Sequence, residues 1–133
     1  MSVISKISGI VIICSLLICP LTVSAAAAAA TPGATVKNFF TAMAKADFAT
    51  AKKVVLTKEL VGLIQFVEEM AKENPELKKE AAADFKHFAQ GKVVSEKITG
   101  DTAAVVYEYK EKNKIKKETY NLKKISGQWK IVD

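Results

Sequence analysis

The sequence predicts an α+β fold in which N-terminal helices pack on a four-stranded antiparallel sheet. Apolar residues recur with a period near 3.6 from residue 32 to residue 90, as in amphipathic helices. The period then changes to 2, which is typical of strands with one buried face. Helices that all precede the strands give an α+β order, and short connections between consecutive strands favour antiparallel pairing.

The first 25 residues have the pattern of an export signal. Lys6 precedes an apolar run over residues 7–19, and small residues then lead to Ala25. The run is shorter than the roughly 20 residues that a membrane span needs. We therefore expect cleavage between Ala25 and Ala30, one folded domain at 26–133 and no stable membrane span in the mature chain. Export would deliver it to the periplasm, the cell envelope or the medium.

Two alternatives for this segment stay open. It could be kept as an uncleaved N-terminal anchor. Alternatively, Cys19 could be lipidated, although Ile18 is larger than the residue that lipoprotein signals prefer at that position. Cys14 and Cys19 are the only cysteines, so a chain that begins at Ala26 would contain neither a disulfide nor a thiol nucleophile.

All basic residues are lysines, and the whole chain has a formal net charge of +6. Arginine, whose planar guanidinium favours bidentate capture of phosphate, is absent. The segment 110–124 contains seven lysines and two glutamates, and alternating lysines are typical of the solvated face of a sheet. We therefore expect no nucleic-acid partner.

Capping residues and apolar stripes predict the first two helices. Helix one covers 32–46, since Thr31 can cap it and Pro32 suits its first position. Helix two covers 48–55 and follows the capping residue Asp47. Their apolar stripes consist of Val36, Phe39, Phe40 and Met43 in helix one, and Ala51, Val54 and Val55 in helix two.

Two longer helices follow. Helix three begins after Thr57 and stops at Asn74, because a proline disfavours helical geometry at the residue before it. Pro75 starts helix four, which ends at Gln90 with Gly91 in the left-handed C-terminal position. The apolar stripes are Leu60, Leu63, Ile64, Val67, Met70 and Ala71 in helix three, and Leu77, Ala81, Phe85 and Phe88 in helix four.

Four strands are predicted after residue 91, at 92–98, 101–110, 115–125 and 129–132. The turns between them are Thr99–Asp101, Lys112–Lys114 and Ser126–Gln128. Alternation places these side chains on the inner face: Ala103, Val105, Tyr107, Tyr109, Tyr120, Leu122, Trp129 and Ile131.

The order of these elements resembles the nuclear-transport-factor-2-like superfamily, also described as cystatin-like. The matching stretches are VKNFFTAMAKADFATAKKVV (36–55), ITGDTAAVVYEY (98–109) and LKKISGQWKIVD (122–133). They are most similar to small secreted bacterial families of unknown function. The resemblance implies a strongly curved sheet wrapped around the helices as a cone, whose open end often holds a pocket. The superfamily contains isomerases, dehydratases and polyketide cyclases beside non-catalytic modules, so the fold does not settle the function.

His87 is the only histidine, and Asp84 lies three residues before it, where a helix could let the carboxylate orient the imidazole. However, Lys86 and Phe88 flank His87, which lies off the apolar stripe of helix four. A solvent-facing or rim histidine is therefore preferred to a catalytic one. With one histidine and no cysteine in the mature chain, no metal site is expected.

Aromatic residues on the inner face are predicted to line a ligand pocket in the cone, namely Phe40, Tyr107, Tyr109, Tyr120 and Trp129. Glu96 and Glu118 are the carboxylates that could share this face, and Glu118 has the same parity as Tyr120 and Leu122. The resemblance to isomerases of this fold implies a carboxylate base with tyrosine donors. The preferred interpretation is that the tyrosines pack in the core with their hydroxyls at the mouth of the cone.

The sequence therefore favours an exported, non-catalytic module that binds a small apolar ligand or a protein partner in the cone, without a cofactor. The alternative is an isomerase- or cyclase-like enzyme that uses Glu118 or the Asp84–His87 pair as base. Homodimers that form through the outer sheet face are common in the superfamily, while lysines on that face favour a monomer. Both oligomeric states stay open.

Overall fold

The computed structural model describes residues 30–133. The predicted export signal at 1–25 lies outside the described residues. Among residues 30–133, no helix combines the length and the apolar character that crossing a membrane requires.

Within residues 30–133, four helices come first, with the bounds α1 Pro32–Ala44, α2 Phe48–Lys53, α3 Lys58–Glu73 and α4 Pro75–Ala89. The side chains of Thr31, Asp47 and Asn74 accept hydrogen bonds from first-turn backbone N–H groups of α1, α2 and α4. Each bond satisfies a donor that has no partner within the helix. The predicted starts of these three helices are therefore confirmed.

Helix α1 is two residues shorter than predicted. Ala46 adopts a φ of 55°, and its N–H bonds to the carbonyl oxygen of Met43 at 3.0 Å. The N–H of Asp47 bonds to the carbonyl oxygen of Ala42 at 2.8 Å. These bonds form a Schellman motif, which ends the helix before residue 46.

Helix α2 is also two residues shorter than predicted, because the chain after Lys53 joins the sheet. Val55 forms a parallel bridge with Ile131. The N–H of Leu56 donates to the carbonyl oxygen of Ile131, and the N–H of Ile131 donates to that of Val54, each at 2.8 Å. This segment therefore covers the free edge of the last strand.

The strands are β1 Lys92–Thr99, β2 Thr102–Glu111, β3 Lys114–Ile125 and β4 Gln128–Ile131. They form a curved, open antiparallel sheet in chain order. The β2–β3 turn places Lys112 and Asn113 at φ values of 44° and 67°, and the β3–β4 turn places Ser126 and Gly127 at 50° and 78°. Two consecutive residues at positive φ are typical of the tight turns that match strand twist.

The core lies between the helices and one face of the sheet. The predicted inward side chains are buried, except for half-buried Tyr120: Ala103, Val105, Tyr107, Tyr109, Leu122, Trp129 and Ile131. Val36, Phe40 and Met43 of α1 pack against them. The predicted α+β arrangement is confirmed.

Helix α3 departs from its predicted stripe. Ile64 and Ala71 are buried, but Leu63 and Met70 remain 60% and 37% exposed. Phe66, between them in sequence, is 58% exposed. The prediction that Leu63 and Met70 face the core is wrong, because α3 carries apolar residues on two sides.

Gly91 was predicted in a left-handed conformation, and this is wrong, because the positive-φ glycines of the described chain are Gly100 and Gly127. A glycine is required there instead because the backbone at Gly91 lies close to β2. A Cβ on Gly91 would lie 2.5 Å from Cε1 of Tyr107 and 2.6 Å from the carbonyl oxygen of Glu108.

Candidate binding site at the open end of the sheet

The inner face of β3 extends past the layer of helices. Glu118 and Lys116 occupy the same face as Tyr120, because side chains on one face of a strand recur every two residues. Tyr120 is half-buried, whereas Glu118 and Lys116 are exposed. The start of β3 therefore lies at the open end of the sheet, whereas Tyr109 on the paired strand β2 is buried against His87 and Phe88 of α4.

Glu118 joins two tyrosines at this open end. The hydroxyl of Tyr109 donates to Oε1 of Glu118 at 2.7 Å, and the hydroxyl of Tyr120 donates to Oε2 at 2.6 Å. Strand register produces this arrangement. Tyr107 lies directly opposite Glu118, so that Tyr109 is its diagonal neighbour on β2. We call Tyr109, Glu118 and Tyr120 the tyrosine–glutamate cluster.

The phenols at this end of the sheet are held in their protonated form. Burial and then the hydrogen bond to Glu118 raise the pKa of Tyr109 to about 12. The same two causes raise the pKa of Tyr120 above its ordinary value. Burial alone raises the pKa of Tyr107. At neutral pH all three hydroxyls are therefore donors.

Aromatic rings fill the space beneath the cluster. The ring centroid of Phe40 lies 5.2 Å from that of Phe88, 5.3 Å from that of Tyr107 and 5.6 Å from that of Tyr120. Phe88 also contacts Tyr109, at 4.4 Å between centroids. Four of the five predicted pocket residues are thus brought together, with their rings packed on one another.

Trp129, the fifth predicted pocket residue, lies at the other end of β3. It pairs with Lys124 of β3. Lys124 lies six residues after Glu118, and at about 3.3 Å per residue this separation corresponds to roughly 20 Å along the strand. Its ring lies beneath Nζ of Lys124, 5.7 Å from the centroid. Trp129 lines a separate cleft of about 440 Å³ together with Thr50 and Lys53.

His87 lies beside the cluster and is half-buried. Its ring centroid is 4.3 Å from that of Phe88 and 6.2 Å from that of Tyr109. Nε2 is enclosed and has no hydrogen-bond partner among residues 30–133. Asp84 therefore makes no bond to Nε2, although both residues line the same cleft.

Two clefts flank His87. One of about 340 Å³ is lined by residues that include Gln90, Tyr109 and Ile115. The other, of about 520 Å³, is lined by residues that include Asp84 and Glu111. Both clefts are open to solvent rather than enclosed.

The charged groups around the cluster are unevenly paired. Lys116 forms an ion pair with Glu111, whereas Glu118 forms no salt bridge within residues 30–133. On the outer face, Glu108 lies between Lys92 and Lys117, at 3.2 and 3.6 Å from their Nζ atoms. In the described part of the chain, no cluster of three or more His, Cys, Asp or Glu side chains could hold a metal ion.

Glu96, the other carboxylate predicted for the inner face, supports the fold. Its Oε1 accepts a hydrogen bond of 3.3 Å from the N–H of Gly33. Gly33 belongs to the first turn of α1, where free N–H groups and the helix dipole favour a negative group. Glu96 therefore anchors the helix start to β1.

Comparison with known proteins agrees with this architecture. No curated protein matches the chain significantly. The crystal structure of a candidate NTF2-like transpeptidase from Campylobacter jejuni superposes with a TM-score of 0.50 at 17% identity. That match covers 78% of this chain and 99% of the other, and at this identity it shows the NTF2-like fold alone. The sequence profile of the domain of unknown function DUF4878 matches residues 24–132, so the chain belongs to the DUF4878 family.

Proposed function

We propose that the chain is a non-catalytic binding module whose ligand contacts the open end of the sheet. The observation that carries the proposal is the pair of hydrogen bonds from Tyr109 and Tyr120 to Glu118. The groups best suited to proton transfer are engaged with one another, and aromatic rings occupy the space beneath them. A ligand therefore meets an aromatic rim with a carboxylate at its centre.

The chemistry of Glu118 defines the ligand that would fit. Each carboxylate oxygen accepts one phenol hydrogen bond and has capacity for another. The charge of Glu118 has no ion-pair partner among the described residues. We propose a small, largely apolar molecule or a protein segment that presents an N–H donor to Glu118 and places its apolar part against the rings and clefts beside His87.

Native mass spectrometry of the full chain, after exposure to lipid and metabolite extracts, tests this proposal. We expect the wild type to retain a ligand, and Glu118→Gln to retain several-fold less, since an uncharged amide attracts an N–H donor less strongly than a carboxylate does. Glu80→Gln, at an exposed position of α4 that lines neither cleft beside His87, is the matched control and should retain as much as the wild type. Equal retention by Glu118→Gln, or no retention by the wild type, would contradict the proposal.

A second candidate is an isomerase- or cyclase-like enzyme with Glu118 as base. The carboxylate–phenol distances of 2.7 and 2.6 Å favour it, because phenols at this range could stabilise an oxyanion that forms on a substrate. The two phenol hydroxyls would first have to break their hydrogen bonds to Glu118 and donate to that substrate oxygen instead. Deuterium uptake from solvent by a panel of cyclic ketones, lost in Glu118→Gln, would support this candidate. The absence of uptake would leave binding as the function.

We also propose that the module acts outside the cytoplasm after residues 1–25 are removed. The apolar run at 7–19 and the small residues that end at Ala25 support export. N-terminal sequencing of the protein recovered from cell envelope and medium fractions should give a start between Ala26 and Ala30. A chain that starts at Met1 or Ser2 would contradict cleavage.

A further inference from the structure

A row of exposed apolar side chains runs along one flank of α3, beside the side that faces the core. Leu63, Phe66 and Met70 follow the spacing i, i+3 and i+7 and are 60%, 58% and 37% exposed. At about 100° per residue, this spacing places the three within a sector of roughly 60°. We call them the outer row. Ile64 and Ala71 already supply the buried contacts of α3, so the outer row is not needed for the core.

Uncompensated acidic residues flank the outer row. Helical geometry places Glu59, Glu69 and Glu73 in or next to it, and all three are exposed. None of them forms a salt bridge within residues 30–133. The ion pairs of this helix, from Lys52 and Lys72 to Glu68, lie on its opposite flank. The apolar outer row is therefore flanked by negative charge on a chain whose net charge is +6.

Gly62 provides a second, independent observation. It lies one turn before Phe66, where a Cβ would meet no other atom within 4 Å. Glycine in a helix interior is less favourable than alanine, and nothing within the folded chain needs the space. A partner whose backbone approaches the helix closely would need it.

We propose that the outer row docks a basic amphipathic helix of another protein. The spacing of Leu63, Phe66 and Met70 is the anchor spacing by which amphipathic helices are recognised. Lysine or arginine side chains on the partner would pair with the flanking glutamates, and Gly62 would admit the partner's backbone.

Two other occupants are disfavoured by the same charges. A second copy related by a two-fold axis would place the glutamates of one α3 against those of the other. An anionic membrane surface would repel them as well. A basic partner complements both the apolar row and its charge. This surface is separate from the tyrosine–glutamate cluster, so the inference does not depend on the proposed function.

Fluorescence anisotropy with the full chain and a labelled model peptide tests the inference. The peptide is a helix of about 18 residues, with leucines at i, i+3, i+4 and i+7 and lysines elsewhere, and its counterpart has glutamates in place of the lysines. We expect the lysine peptide to bind and the glutamate peptide not to. Phe66→Gln should weaken binding at least about tenfold, as removal of a central aromatic anchor does. Ile98→Gln, on β1 and 54% exposed in the wild type, is the control and should bind like the wild type.

Gly62→Ala separates docking from stability. We expect this variant to melt at the same or a higher temperature and yet to bind the lysine peptide several-fold more weakly, because the added methyl group blocks close approach. Unchanged binding by Phe66→Gln, or equal binding of the two peptides, would overturn the inference. So would a wild-type dimer that Phe66→Gln converts to a monomer in light scattering, or cosedimentation with phosphatidylglycerol vesicles that Phe66→Gln abolishes.

Discussion

The hydroxyl of Tyr107 donates a hydrogen bond of 2.7 Å to the carbonyl oxygen of Phe88, and this bond ties β2 to the last turn of α4. Tyr107 is fully buried, and its ring stacks on that of Phe40. Phe88 in turn contacts the ring of Tyr109 at 4.4 Å. The bond therefore positions the aromatic layer on which the tyrosine–glutamate cluster rests.

Tyr107→Phe should lower the free energy of unfolding by about 1 kcal/mol, the usual contribution of one internal hydrogen bond. The cost is modest because the carbonyl oxygen of Phe88 still accepts from the N–H of Gly91 at 2.9 Å. Urea unfolding followed by tryptophan fluorescence measures this change, and Ile115→Val on the exposed face serves as control. A loss of several kcal/mol would mean that the ring, rather than the hydroxyl, had been displaced.

Gly91→Ala should destabilise the fold by roughly 1–3 kcal/mol, the usual cost of inserting a methyl group into a packed region. Its Cβ would lie 2.5 Å from Cε1 of Tyr107 and 2.6 Å from the carbonyl oxygen of Glu108, and the latter belongs to the sheet backbone. Gly62→Ala is the matched control, since its Cβ meets no atom within 4 Å. The melting temperature should fall for Gly91→Ala and should stay the same or rise for Gly62→Ala. Equal shifts would contradict the close approach at Gly91.

Much of the fold could be predicted because its signals are local. The side chains of Thr31, Asp47 and Asn74 cap helices within their own first turns, and a sequence displays such pairs directly. The inward positions of β2 follow from its alternation. Glu118 was placed on the inner face by the parity that it shares with Tyr120, and the structure places it there.

The features that could not be predicted from the sequence depend on tertiary contacts. Leu63 and Met70 fit the helical period as well as Ile64 does, and only the packing of α3 on its neighbours decides which side is buried. The pairing of Tyr109 with Glu118 depends on register. The tight turn at 112–113 sets it, whereas the predicted turn was one residue longer.

The folded state should become less stable as the pH rises above 10, in part because of Tyr109. Its pKa is about 12 in the folded chain against an ordinary 10.0, so the unfolded state loses this proton first. The stabilisation that the Tyr109 phenol contributes is fully present below about pH 10 and is lost as the pH rises toward 12. Alkaline unfolding monitored by circular dichroism, with phenolate absorbance recorded in parallel, should show tyrosine ionisation delayed until the chain unfolds. Tyr109→Phe should flatten the decline, and an identical pH profile for this variant would contradict the burial of that phenol.

Removal of residues 126–133 should abolish cooperative folding, because β4 belongs to the core. Trp129 and Ile131 are 8% and 3% exposed, and burying two such side chains contributes on the order of several kcal/mol. The loss also frees backbone groups, since Ile131 exchanges hydrogen bonds of 2.8 Å with Val54 and Leu56. Trp129→Ala is the milder test and should cost roughly 3–5 kcal/mol in urea unfolding. A truncated chain that melts cooperatively at the wild-type temperature would mean that helices and three strands suffice. In that case Trp129, which lies far from the tyrosine–glutamate cluster and beside its own cleft, would be free to serve a ligand instead of the core.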